Sequence, residues 1–174
     1  MIFVFIFYRL RCRHGWRFFL FVYNVFMKIH VITIGKKHDL GLADAIAEYE
    51  KRLTKYTDFG WQIIPSSDIK KESEAIMKNI KADDFVIVLD DLGKQYSSSD
   101  FAELVSKQMS AGTKRLVFII GGAYGVGEEV RVRANLIWSL GKLTFPHQLV
   151  RLILTEQIYR AHTIIKGEKY HHGE

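Results

Sequence analysis

From Met27 onward the chain alternates between two hydrophobic rhythms. Short runs of β-branched and aromatic residues take turns with longer stretches in which apolar side chains recur every three or four positions. That alternation predicts a mostly parallel sheet covered by helices. KIHVITIG (28–35) is a β-branched run ending on glycine. Beyond Asp39, Leu42, Ile46, Tyr49 and Leu53 share one helical face, with Glu48 and Arg52 paired one turn apart on the wet side. WQIIP (61–65) reads as a short strand stopped by one of only two prolines, and Ser67 or Asp68 can cap a charged helix running to Ile80. DFVIVLD (84–90) is apolar without alternation, as in a strand buried on both faces, and DLGKQYSS then reads as a loop. A capped helix over 98–112 turns Phe101, Leu104, Val105 and Met109 inward, and RLVFII (115–120) is a second buried strand. A short helix over 128–134, a strand over 135–140 and the loop GKLTFPH follow. The last helix starts near Pro146, runs to about Ile165 and stops at Gly167, leaving the tail EKYHHGE.

Residues 1–26 break the pattern. They hold seven of the twelve phenylalanines, the only cysteine (Cys12) and four arginines without an acid, so they supply four of the six net positive charges. Arg9, Arg11, Arg13 and Arg17 interrupt the apolar runs well short of the roughly 18 residues a membrane span needs. The segment also lacks the charge placement and cleavage site of a secretory signal, and the serines of a transit peptide. Met27 followed at once by a strand reads as a natural start. Residues 1–26 are therefore expected to be upstream translation outside the domain, against a competing reading as a surface-binding tail, with one domain over 27–174. A lone cysteine allows no disulfide framework and no cysteine metal site, which fits a reducing cytoplasm. No membrane association and no metal are expected.

Chemistry concentrates at three places. VFIIGGAYGVGEEV (117–130) is a glycine-rich turn after a strand, but Glu128 and Glu129 stand where a phosphate-binding loop needs lysine and a hydroxyl. Two acids capping the next helix would repel a phosphate there. The turn is either a structural device needing positive φ or a wall for a ligand without phosphate. The loop LGKLTFPH (140–147) can aim backbone groups at an adenine edge, or simply connect strand to helix. On the last helix, Arg151, Thr155, Tyr159 and His162 share a face and Glu156 pairs with Arg160, the pattern of a structural ion pair or of a polar face lining a site. In the tail, Tyr170, His171 and His172 suit an unpaired RNA base better than a metal, since adjacent histidines diverge and no third ligand is evident.

Taken together, MKIHVITIGK, AEYEKRL, VIVLDDLGK, FIIGGAYG, WSLGKLTFPHQLVRLILTEQIYRA and KGEKYHHGE make residues 27–174 resemble the RlmH family of SPOUT-class methyltransferases, which methylate N3 of a pseudouridine in 23S ribosomal RNA. TFPHQLVR followed by EQIYRA and a Tyr-His ending carries most of the specificity. The resemblance implies an α/β fold with a C-terminal trefoil knot, a cytoplasmic homodimer and S-adenosyl-L-methionine as cofactor. Carried over, the cofactor site falls on Leu89, Gly121, Leu140, Gly141, Lys142, Leu143, Thr144 and Phe145. His171, Tyr170 and His147 become the expected catalytic groups, with Arg151, Tyr170, His171 and His172 toward RNA, the tail acting across the dimer or within one chain. With about +2 charge outside residues 1–26, counterion release is a weak grip on naked RNA, so the expected substrate is 23S rRNA in the assembled ribosome or large subunit. The rival classes are a non-catalytic ribosome-binding or RNA-binding module of the same fold and, disfavoured by the acids, a nucleoside-triphosphate switch.

Overall fold

Strands that are apolar on both faces need cover on both sides, and the computed structural model supplies it. Its backbone is described for residues 4–12, 15–23, 27–36 and 40–170, and its side chains for the last two of these stretches. The elements are β1 (Val4–Cys12), β2 (Gly15–Tyr23), β3 (Lys28–Ile34), α1 (Leu40–Leu53), β4 (Phe59–Ile64), α2 (Ile69–Lys78), β5 (Phe85–Gln95), α3 (Ser98–Ser110), β6 (Arg115–Ile120), α4 (Glu128–Arg133), β7 (Leu136–Ser139) and α5 (His147–Ile165). β3 to β7 form one parallel sheet in the order β4-β3-β6-β5-β7, and β1 pairs antiparallel with β2 in a sheet of its own. The expected α/β class, a parallel sheet flanked by helices, is what the chain adopts.

Alternation along each strand divides the core. Ile29, Val31, Ile87, Leu116 and Phe118 pack with Leu53 of α1, Phe101 and Val105 of α3, and Leu154 and Ile158 of α5. Ile32, Ile34, Val86, Val88, Val117 and Ile119 face the other way, against Ile76 of α2 and Val130 of α4. Caps set the helix starts: the Asp68 side chain accepts from the Lys71 N–H at 3.0 Å, and Ser97 and Asp100 form a reciprocal capping box on α3. Asp39 lies outside the described residues. No helix among the described residues is long and apolar enough to cross a membrane.

The structure departs from the sequence reading at DLGKQ. Instead of a loop, β5 continues to Gln95 along β7, with a register shift between Leu89 and Lys94. Polar side chains are tolerated there because the extension is largely exposed, while backbone pairing with β7 continues beyond the shift. Gly93 makes the close approach possible: a Cβ at that position would stand 2.7 Å from the backbone of Ile137 and Trp138. The bulge throws Asp90 and Asp91 out of the ladder at the carboxyl end of the sheet.

α5 crosses the face carrying α1 and α3 and buries polar as well as apolar side chains, among them Arg151, Thr155 and His162. The His162 ring lies 5.6 Å from Tyr56, and its Nε2 has no hydrogen-bond partner. Burial, helped by nearby Lys166, pushes its pKa down from 6.5 to about 4. The unfolded chain therefore binds a proton near pH 6.5 that the fold refuses until about pH 4. Stability is present above pH 6.5 and declines as pH falls toward 4, by up to about 3 kcal/mol. Urea titrations at pH 7 and pH 4.5 should show this loss, and His162→Phe should flatten it; equal pH slopes in the two proteins would remove His162 as its source.

Candidate functional site

The carboxyl ends of β6 and β7 and the register shift within β5 meet the first turn of α5, and between them lies a cavity of about 260 Å³. Leu89, Gly121, Leu140, Gly141, Leu143, Thr144 and Phe145 all line it, so seven of the eight expected cofactor residues come together although they are spread over three segments. Lys142 is the exception; it sits exposed between two lining neighbours. His147 joins the wall from the start of α5. A second hollow, of about 570 Å³, lies between β5 and α3. Half of its lining residues are charged, namely Lys94, Asp100, Glu103 and Lys107, and the wall contains no glycine turn.

The glycine turn is specified by backbone geometry. The Gly125 N–H donates to the Gly122 carbonyl at 3.1 Å, and Gly125 has φ +75°, a region that disfavours other residues. A Cβ on Gly121 would stand 2.5 Å from the Gly125 carbonyl oxygen, so the chain can double back only on glycine. α2 holds the turn from behind. Ser73 Oγ accepts from the Gly127 N–H at 3.0 Å, and buried Glu72 accepts from the Ser67 N–H at 2.8 Å while its other oxygen backs Gly122. Glu128 and Glu129 occupy the first turn of α4, yet Gly127 at its N-cap has no side-chain capping bond. The acids therefore act there by charge against the helix dipole, not as hydrogen-bonding caps.

Two further acids edge the cavity. Asp90 is ion-paired with Arg131 and accepts from the Leu92 N–H at 3.0 Å, whereas Asp91 is exposed. Across the cavity, Ser139 pins the second loop by accepting from the Gly141 N–H at 3.2 Å and donating to the Gly141 carbonyl at 2.8 Å. Exposed Tyr124 and Leu143 sit on the two lining segments, with Leu92 next to Asp91.

Arg151 behaves differently from expectation. Rather than facing RNA, it is fully buried, donating to Thr33 Oγ1 at 3.2 Å, the Ile34 carbonyl at 3.0 Å and the Lys36 carbonyl at 2.9 Å. Thr155 and His162, expected on the same polar face, are buried too, so that face closes against its own chain instead of lining the cavity. The paired Glu156 and Arg160 are present, with Arg160 Nε donating to Glu156 Oε1 at 2.8 Å. Tyr170 joins that pair: its hydroxyl donates to Glu156 Oε1 at 3.2 Å, and its ring packs 4.8 Å from Tyr159 and 5.0 Å from the Arg160 guanidinium. Burial and the Tyr49 hydroxyl push the Tyr170 pKa upward. Tyr159 lies twelve residues along α5 from His147, about 18 Å at 1.5 Å per residue, so one chain does not bring Tyr170 to the cavity. His171 and His172 lie outside the described residues.

Residues 27–171 match the family model described as "Predicted SPOUT methyltransferase". The chain belongs to the SPOUT methyltransferase family. A Christiangramia forsetii protein called ribosomal RNA large subunit methyltransferase H is 46% identical over 158 residues, spanning 84% of this chain and 99% of the relative. A Streptococcus mutans protein of the same description is 43% identical over 158 residues, spanning 83% and 99%. These relatives place the chain in the large subunit methyltransferase H branch of the SPOUT family. Among solved structures, a probable methylase family protein from Haemophilus influenzae shares the fold, with TM-score 0.52 and 14% identity over 84% of this chain and 71% of that one.

Within this SPOUT domain the sequence reading missed Asp90, Asp91, Gly122, Trp138 and Val150 as cavity-lining residues. The paired aspartates at the end of a buried strand were the available signal; Trp138 and Val150 read only as core. The placement of Arg151 gives a direct test. Arg151→Met should lower the unfolding free energy by about 3 kcal/mol or more, because three buried acceptors lose a charged donor. Unchanged stability in chemical denaturation, together with weakened RNA binding, would return Arg151 to an RNA-facing role.

Proposed function

We propose that this SPOUT domain transfers a methyl group from S-adenosyl-L-methionine to N3 of a pseudouridine in 23S ribosomal RNA within the assembled ribosome or large subunit. The observation that carries the reading is the joint wall of the cavity, in which the glycine turn and the 140–145 loop meet beneath the start of α5. The chemistry of that wall fits the cofactor. Leu89, Leu140, Phe145 and Val150 offer apolar surface to an adenine, and the backbone of the two loops offers donors and acceptors. Glu128 and Glu129 at the start of α4 oppose a phosphate, and the cofactor has none. Acids beside the cavity favour its positive charge. When bound, it supplies an electrophilic methyl group on a sulfonium.

The chain's own contribution is positioning, which can be worth roughly 7 to 11 kcal/mol for well-oriented reactants. Exposed Tyr124 and Leu143 offer apolar surface beside the cavity on which an unstacked base can rest. The N3 proton has to leave, and His147 in the cavity wall and His171 in the tail are the groups assigned to take it. Since Tyr170 packs at the far end of α5, the tail that completes each site comes from the second copy of a homodimer, carrying Tyr170, His171 and His172 to the nucleotide. Residues 27–174 are the working unit of this reading, with 1–26 outside it.

Methyl-labelled S-adenosylmethionine tests the whole reading. Label should enter 23S rRNA of unmodified large subunits or ribosomes, and protein-free transcript should be labelled at least about tenfold more slowly, given the small charge available for gripping bare RNA. Equal rates on both substrates would count against particle recognition. Thermal stabilisation by the cofactor without any transfer would favour the non-catalytic module.

A mixing experiment addresses the dimer. A chain lacking residues 170–174 and a chain carrying Leu140→Arg should each be inactive alone. Co-refolded in equal amounts, they should recover about a quarter of the wild-type rate, the statistical share of sites intact in mixed dimers. No recovery from verified mixed dimers would place the tail and the cavity of each site in one chain.

A further inference from the structure

We infer that Glu72 sets the preference of the cavity for a cationic cofactor: its carboxylate, buried behind Gly122, holds the sulfonium form and releases the neutral thioether product; this rests on the S-adenosylmethionine reading above. Glu72 stands in the first turn of α2 and is 7% exposed. Its Oε1 accepts from the Ser67 N–H at 2.8 Å and from the Ser66 hydroxyl at 3.3 Å, so the bonds it makes are those an ionised carboxylate accepts. Its Oε2 lies against Gly122, where a Cβ would stand 2.9 Å away. Gly122 lines the cavity and Glu72 does not, so the backbone of one glycine separates this charge from the space where the cofactor would sit.

Among the described residues, Glu72 and Asp84 are the two buried acids. The fold treats them differently. Asp84 is ion-paired with Arg115, whereas no cation among the described residues pairs with Glu72. A buried charge without a counter-ion is costly, and a glutamine of the same shape could accept from the Ser67 N–H without that cost. The start of α2 compensates the charge in part through its dipole. A cation arriving on the other side of Gly122 would complete the compensation.

The other acids near the cavity are less suited to this part. Asp90 is already matched by Arg131, while Asp91, Glu128 and Glu129 are exposed, where water and salt screen them. The field of Glu72 crosses protein instead of water and is weakened less. Leu140, Phe145 and Val150 suit the adenine, which leaves the glycine turn for the cationic end of the cofactor. S-adenosylmethionine and S-adenosylhomocysteine share their adenine, ribose, ammonium and carboxylate, and differ in charge only at sulfur, positive in the first and neutral in the second. One fixed charge in the wall therefore separates reactant from spent product without touching either.

The test uses the full chain, with S-adenosylmethionine and S-adenosylhomocysteine as paired probes in calorimetric titrations. Glu72→Gln keeps the shape of the side chain and an acceptor for Ser67 while removing the charge. It should bind S-adenosylmethionine about tenfold more weakly than the wild type and S-adenosylhomocysteine less than about twofold more weakly, the scale of one unit charge acting through a thin layer of protein. Equal losses for the two ligands, or no loss for either, in the folded variant would overturn the proposal and leave Glu72 as a prop for the glycine turn. A second measurement needs no variant: with ¹³C-labelled glutamate carboxyls, saturating S-adenosylmethionine should move the Glu72 resonance further than S-adenosylhomocysteine does. Equal displacements would overturn the proposal as well. Wild-type protein that binds neither ligand would overturn the cofactor reading itself, a result distinct from these.

Discussion

The guanidinium of Arg151 ties the last helix to the first strand of the parallel sheet. A parallel strand ends in carbonyls that its neighbours no longer satisfy, and here Ile34 and Lys36 direct theirs at one side chain, joined by the hydroxyl of Thr33. Arginine suits this place because a planar fork of donors meets several acceptors at once and holds its charge even where burial pushes its pKa below the ordinary value. Thr155, one turn on, donates to the Arg151 carbonyl at 2.7 Å. The start of α5 is thereby placed over the carboxyl end of the sheet. Phe145, His147 and Val150 line the cavity beside this attachment, which acts together with the packing of Leu154 and Ile158 to hold the helix there.

The opposite wall has its own anchor. Gly122 to Gly127 double back too tightly for any side chain at Gly121, and α2 fixes the outer side of that turn through Ser73 and Glu72. The third wall is the bulge within β5, where a register shift ejects Asp90 and Asp91 while Arg131 neutralises the first of them. Each wall is thus positioned by contacts on its far side, and backbone and apolar side chains line the space between them together with Asp90, Asp91, Thr144 and His147. Such a site suits a flat, phosphate-free ligand held by shape and a few hydrogen bonds. The acids at the start of α4 fit that picture as a local charge that would make a phosphate unwelcome.

Much of this was legible in the order of residues. From Met27 on, period-two and period-three-to-four patterning placed the strands and helices in the right order, because strands covered on both faces must be apolar on both, as Val86 to Val88 and Leu116 to Ile119 are. The stretch from Asp90 to Gln95 was misread, since its polar residues look like a loop unless the β7 partner and the role of Gly93 are known. Arg151 was misread for a related reason. A cation at helical spacing looks solvated, and nothing local signals that three acceptors of β3 and the residues just after it, over a hundred positions away, converge on it. Trp138 carried no signal at all, because an aromatic on a core strand is ordinary.

The same geometry explains why the tail and the cavity need not be read within one chain. α5 is one continuous helix from His147 to Ile165, and Tyr170 turns back from its end to lie against Tyr159, Arg160 and Glu156. To reach the cavity of its own chain, the short tail would have to break those contacts and retrace most of the helix, about 18 Å. A copy related by a twofold axis could instead bring the far end of its α5 to the cavity without disturbing that cluster, and symmetry would then complete both sites alike. Under the proposed reaction, the Glu156, Arg160 and Tyr170 cluster anchors the residue that precedes His171 and His172, the groups proposed to meet the partner's nucleotide. Under that reading methyl transfer would depend on assembly, because the tail of each chain would serve the cavity of the other.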